Sequence, residues 1–184
     1  MKKFIIILAI LVAIGAIYAW SMYNKMVTAS ENVDNQWAQV ETQYQRRFDL
    51  IPNLVESVKG IMEQEKEVFG NIAEARTRYA GATTNNEKAA AAGQVESALA
   101  RLLVVMENYP ELKSAENVQT LMIQLEGTEN RISVERKRYN DIARDFNVMI
   151  KRIPAKFFAG WYGFEERNYF ESVEGAETAP VVEF

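Results

Sequence analysis

Apolar positions open the chain as an unbroken run and then settle into a repeat. After Met1, Lys2 and Lys3 comes "FIIILAILVAIGAIYAWSMYN", Phe4 to Asn24, without a charged residue. At about 1.5 Å per helical residue this run reaches roughly 31 Å, the thickness of a hydrocarbon core. Trp20 and Tyr23 stand at its distal end, where aromatic rings favour the membrane–water interface. A cleaved signal peptide fits less well, because its apolar stretch would be overlong and cleavage after Ala19 would leave Ile17 three residues before the cut. The pattern predicts a single-pass, uncleaved anchor with its flank, residues 1–27. Lys2, Lys3 and the amino terminus outweigh the lone Lys25, which puts the amino end in the cytoplasm and the bulk of the chain outside it.

The repeat follows. From Ser30, suited to an N-cap, to Ala80, before Gly81, the seam is Val33, Trp37, Val40, Tyr44, Arg47, Ile51, Leu54, Val58, Ile61, Glu65, Val68, Ile72, Ala75 and Tyr79. Its steps alternate between four and three, as on one face of a coiled coil, and only Arg47 and Glu65 are not apolar. A second helix, about Asn86 to Asn108, carries Ala92, Val95, Leu99, Leu102, Met106 and Tyr109 and stops near Pro110. A third, about Ser114 to Arg152, carries Val118, Leu121, Leu125, Thr128, Ile132, Glu135, Tyr139, Ile142, Phe146, Met149 and Ile153, with Pro154 closing it. Strand signals are absent. The predicted fold class is all-α: an N-terminal transmembrane helix, then a long-helix antiparallel coiled-coil-like bundle of three to four helices over residues 28–154. Residues 155–184 form an aromatic element, with Phe157, Phe158, Trp161, Tyr162 and Phe164, and then an acidic tail. Those five rings are candidates for membrane or partner contact, beside the plainer reading of a cap on the bundle.

Composition removes most chemistries. Cysteine and histidine are both absent, which excludes zinc-finger sites, His-based triads, HExxH metalloproteases and disulfide frameworks. No GxxxxGK[ST] loop occurs, and a net charge of −4 gives no basic footprint for nucleic acid. No cofactor is predicted.

Two motifs stand out. "MYNKMVTASENVDNQWAQVETQYQRRFDLIPNLVESVKGIMEQE", with "LEGTENRISVERKRYNDIARDFN" and the closing "FESVEGAETAPVVEF", resembles the LemA family over nearly the whole chain and in order. RRFDLIPNLVE and LEGTENRI carry the resemblance most specifically. It implies a bacterial cell-membrane protein with one N-terminal membrane helix and a helical bundle, and no catalytic residues to carry over. It also implies neighbourhoods shared with membrane-bound metalloproteases, so that other membrane proteins such as proteases become possible partners. Relatives occur among organelle-forming membrane proteins.

Helix lengths raise a question about the first motif. A continuous first helix pairs its upper part with the second helix and leaves Val33, Trp37, Val40, Tyr44 and Ile51 without a partner inside the chain. Either other copies cover that seam in a homo-oligomer, or the helix breaks near Pro52 and folds into a four-helix bundle. Ile51 is a poor cap for a new helix, which favours a kink over a break. Arg46, Arg47, Asp49 and Asn53 gather polar groups around Pro52, marking a hinge or assembly surface, and the register supplies no carboxylate for Arg47. The same register places Glu65 near Arg101 and Glu135 near Arg76 or Arg78. In the second motif Glu126 and Glu129, with Asn130 and Arg131, have a spacing that can bind a divalent cation or do acid–base work. Gly127 and Thr128 on a packing side offer a structural explanation instead.

The sequence therefore predicts a membrane-anchored, self-associating helical scaffold or interaction protein. A lipid-contacting or membrane-shaping protein and a carboxylate-based metal-binding enzyme are the alternatives.

Overall fold

A computed structural model describes residues 1–170. The described residues are helical, with no strand: α1 Lys2–Lys59, α2 Lys66–Gly81, α3 Asn85–Met106, α4 Pro110–Ser114, α5 Glu116–Lys151 and α6 Ala155–Tyr162. They divide into two compact units, one of residues 1–30 with 140 onward and one of residues 31–139. The expected acidic tail falls outside the described residues.

Helix α1 does not begin at Ser30. It runs from Lys2 through Lys59, because residues 25–30, KMVTAS, contain neither glycine nor proline to stop it. It also passes through Pro52 without breaking. The break comes later, at Gly60 to Glu65, where the heptad pattern shows no interruption. Val58 accepts from the N–H groups of both Ile61 (3.1 Å) and Met62 (3.0 Å), and Met62 accepts from that of Glu65 (3.0 Å). The turn exposes Ile61, 46% accessible, and buries Met62 in its place. Tertiary packing has overridden a locally adequate helix pattern.

The residue 31–139 unit is consequently a four-helix bundle of α1, α2, α3 and α5. Tyr79 of α2 meets Tyr44 and Phe48 of α1, at 6.0 and 4.6 Å between ring centroids. Helix α3 starts on a capping box, in which the Thr84 hydroxyl accepts from the Glu87 N–H while the Glu87 carboxylate accepts from the Thr84 N–H. That box satisfies two N-terminal donors and holds the Glu87 carboxyl below its usual range, chiefly through the Thr83 and Thr84 N–H groups. Helix α3 is also apolar and long enough to cross a membrane, but Ala91, Ala92, Val95, Ala98, Leu99, Leu102 and Met106 point into the core. Helix α5 runs antiparallel to α1, with Trp37 against Tyr139 at 5.7 Å and Arg47 against Glu129.

Val33, Trp37, Val40, Tyr44 and Ile51, which the continuous-helix reading left bare, are therefore buried inside one chain. The reason is the turn at residues 60–65, which gives the seam two more helices and the length of α5. The expected pairs Glu65–Arg101 and Glu135–Arg76 or Arg78 do not form; Glu65 faces the Tyr109 hydroxyl at 3.4 Å and Glu135 accepts from Gln36 Nε2 at 2.7 Å.

In the other unit, Phe4 to Tyr18 of α1 are exposed on every face. The lower seam of α5 drifts from the predicted steps. Ala143, Phe146, Asn147 and Ile150 are buried, while Ile153 is 76% accessible. A strict 3.5-residue repeat falls behind a straight helix of 3.6 residues per turn, and the error accumulates along α5. Helix α6 ends at Gly163, whose φ of 76° is the left-handed conformation that glycine adopts without a Cβ penalty. The Phe164 N–H returns to the Ala159 carbonyl (3.0 Å), and residues 164–170 continue as a strap without regular secondary structure.

Candidate functional site

The first motif splits by helical position. Tyr44 and Arg47, three apart, share the inward face of α1, whereas Arg46, Asp49 and Asn53 lie on its outer face. Asp49 accepts from Gln45 one turn earlier (2.9 Å), and the Asn53 carbonyl accepts from Ser57 Oγ (2.8 Å). Pro52 is half-buried within the helix. Of the polar residues gathered around Pro52, only Arg47 enters the interior.

Its partner comes from the second motif. Glu129 and Arg136, seven residues apart on α5, face α1 and α3. Arg47 is ion-paired to Glu129 and lies 3.8 Å from Glu96 of α3, with only 9% of its side chain accessible. Arg136 donates Nη2 to Glu96 (2.6 Å) and Nε to the Tyr44 hydroxyl (2.8 Å), with its guanidinium 5.3 Å from the Tyr44 ring centre. Two guanidinium groups and two carboxylates thus close a balanced network across three helices. The absence of a carboxylate for Arg47 in the predicted register is corrected by the break after Lys59, which brings α5 and α3 alongside.

The electrostatics follow from burial. Desolvation pushes the Tyr44 hydroxyl up to about 12, although Arg136 pulls the other way. Desolvation also raises Glu96, with the neighbouring Glu129 adding to it, against the opposing pull of Arg136 and Arg47. Arg136 loses solvation too, but Tyr44 and Glu96 more than restore its charged form. Arg47 Nε is buried without a hydrogen-bond partner among the described residues. A buried unsatisfied donor costs about 1–3 kcal/mol, so this network fixes register at some expense of stability.

The remaining residues of the second motif are elsewhere. Glu126, Gly127, Asn130 and Arg131 are exposed on α5. Gly127 is not a close-approach glycine, since a Cβ built there meets nothing within 4 Å. Thr128 turns inward with Leu125 and Ile132, its hydroxyl donating to the Leu125 carbonyl (2.7 Å). Among the described residues no three His, Cys, Asp or Glu side chains gather as metal ligands would, and Glu129 is committed to Arg47.

A second constellation lies in the unit of residues 1–30 and 140–170. Asn140 and Asn147, seven apart on α5, grip the strap through paired amide contacts. Asn147 Oδ1 accepts from the Arg167 N–H (2.8 Å) while its Nδ2 donates to the Arg167 carbonyl (2.8 Å) and the Tyr169 hydroxyl (3.1 Å). Asn140 holds the N–H and carbonyl of Phe170 in the same way, both at 2.8 Å. Arg167 Nη2 reaches Ser30 Oγ (2.9 Å). These asparagines were not singled out in the sequence; their seven-residue spacing beside Tyr139 and Phe146 is the signal that marks them.

The five aromatic candidates divide between two faces. Phe158 meets Tyr18 at 6.2 Å, Tyr162 meets Tyr23 at 4.9 Å, and Phe164 approaches Tyr23 (6.2 Å) and Phe146 (6.3 Å). Phe157 and Trp161, one turn apart, point away from α1 and are 69% and 82% accessible.

Comparison with known proteins gives the chain's relatives. The Magnetosome proteins MamQ 2 and MamQ 1 of Paramagnetospirillum magneticum are each 26% identical, over 87% of this chain and 68% of their own length. Magnetosome protein MamQ of Magnetospirillum gryphiswaldense is 25% identical over the same shares. The LemA family model matches residues 36–184, from just before Trp37 through both motifs, and the chain belongs to the LemA family.

Proposed function

We propose that this protein is a single-pass, membrane-anchored helical scaffold whose bundle serves protein–protein assembly rather than catalysis. The observation that carries the reading is the charge-free apolar run on α1, exposed on every face from Phe4 to Tyr18. Exposed apolar surface of that extent is unfavourable in water and favourable in lipid. Lys2 and Lys3 favour an amino end in the cytoplasm and a bundle on the other side. A structural role accords with relatives that are named as magnetosome proteins rather than as enzymes. Glu129, the inward-facing member of the proposed carboxylate pair, is held by an arginine and offers no open acid–base site.

Self-association belongs to the same proposal, but by surfaces other than the Val33–Ile51 seam, which the chain covers itself. Crosslinking of the full chain in native membranes, followed by mild-detergent extraction and mass measurement, tests both clauses. A membrane-fraction protein with a discrete oligomer band supports them. Recovery in the soluble fraction refutes the anchor, and a monomer at every crosslinker dose refutes self-association.

A further inference from the structure

We infer that helix α6 is a second membrane contact, an interfacial helix that lays Phe157 and Trp161 into the lipid headgroup boundary beside the end of the anchor. The inference rests on the proposal that the apolar part of α1 is lipid-inserted. Its first support is position. Tyr18 and Tyr23 hold α6 through Phe158 and Tyr162, and both tyrosines lie in the last two turns of the charge-free run that ends at Asn24. Aromatic residues at that depth favour the interface, as Trp20 does on the same helix.

The second support is the division of the α6 surface. Ala155 and Ala159 are buried and Phe158 is half-buried, so one face is consumed by packing. Phe157 and Trp161 form the opposite face, one turn apart, with exposed Ile153 four residues earlier. Among the described residues the Trp161 ring stacks on its chain neighbour Tyr162, at 6.0 Å between centroids, and stays exposed. Charge supplies the third support. Lys25, Lys151, Arg152, Lys156 and Arg167 lie along these segments, against Glu165 and Glu166, and Lys151 already pairs with Glu166 at 2.7 Å. Exposed Arg152 and Lys156 leave an excess of cations for phosphate headgroups. An apolar face with basic flanks is the composition of a helix lying in the interface plane.

The chain has no native cysteine, so single-cysteine variants give a clean test. Full-length Phe157→Cys, Trp161→Cys, Trp20→Cys and Thr77→Cys, each labelled with an environment-sensitive fluorophore, are reconstituted into phosphatidylcholine–phosphatidylglycerol vesicles with or without a headgroup spin label. Positions 157 and 161 should be blue-shifted and lose emission to the spin label about as strongly as position 20, while position 77 on the bundle should not. Unquenched, water-like emission at 157 and 161 with quenching at 20 overturns the α6 contact and leaves the anchor intact. Loss of quenching at all three positions overturns the anchor instead. Blue-shifted emission at 157 and 161 that the spin label does not quench means a protein partner covers the face, which also overturns the lipid assignment. Thermal unfolding of each variant reports folding separately, and both substituted side chains of α6 are exposed.

Discussion

The two units handle their surfaces in opposite ways. In the residue 31–139 bundle, apolar side chains are turned inward and the charges that enter the interior neutralise one another. In the unit of residues 1–30 and 140–170, amides hold backbone, and a long apolar helix surface is exposed among the described residues. The bundle turns its apolar surface inward, whereas the proposed anchor would place the other unit's apolar surface in lipid. One continuous helix, α1, contributes to both, so the change lies in what surrounds it rather than in its backbone.

The sharpest way to break the bundle's half of the comparison is to leave its interior charges unmatched. Arg47→Ala strands Glu129 and weakens the support of Glu96, and should cost about 3 kcal/mol in unfolding of the detergent-solubilised chain. Glu129→Gln should cost less, because Glu129 is half-exposed and Arg47 keeps Glu96 nearby.

Alkali probes the same network. The Tyr44 hydroxyl titrates near 10 in an unfolded chain but near 12 when folded. Its neutral form is thus favoured by folding, and this contribution is present below pH 10 and lost as pH rises through about 12. A pH series of chemical unfolding should show stability falling over that window by on the order of 2 kcal/mol, a fall reduced in Tyr44→Phe. The Tyr79 hydroxyl, raised by burial, adds in the same direction.

In the other unit, Asn147→Ala removes the amide pair on Arg167 and the Tyr169 contact. Hydrogen exchange across residues 164–170 should quicken by an amount equivalent to about 1–2 kcal/mol, with the bundle's own exchange unchanged. The smallest effect has the opposite sign. Gly127→Ala, on an exposed helix interior with open space for a Cβ, should stabilise the bundle by about 0.5–1 kcal/mol in thermal unfolding.

Much of this was legible in the sequence, and the exceptions have physical causes. The seam from Val33 to Val58 was readable because burial in a helix leaves a period, and the apolar run of residues 4–24 because it carries no charge. The turn at residues 60–65 was not, because Gly60 is its only local signal and Ile61 keeps step with the repeat until packing substitutes Met62. Missing that turn shifted the register, which hid the partners of Arg47 and suggested pairs for Glu65 and Glu135 that do not form. Arg47 itself was visible as a charge on an apolar face. Glu96 and Arg136, the residues that complete its network, lie on other helices and have no sequence signal that links them to it. Gly127 was read as a packing contact, yet helical rotation puts it outward and only Thr128 inward.

The comparison between the two units is tested most directly along α1 itself. A single-cysteine scan of the full chain in vesicles, read by a water-soluble maleimide at each position from 4 to 58, reports which faces are shielded. Positions 4 to 18 should resist labelling on every face. Positions 31 to 58 should resist it only at the seam, with a helical period near 3.6 residues. The same period within residues 4 to 18 would mean that a protein face, not lipid, covers that segment, and would contradict the account.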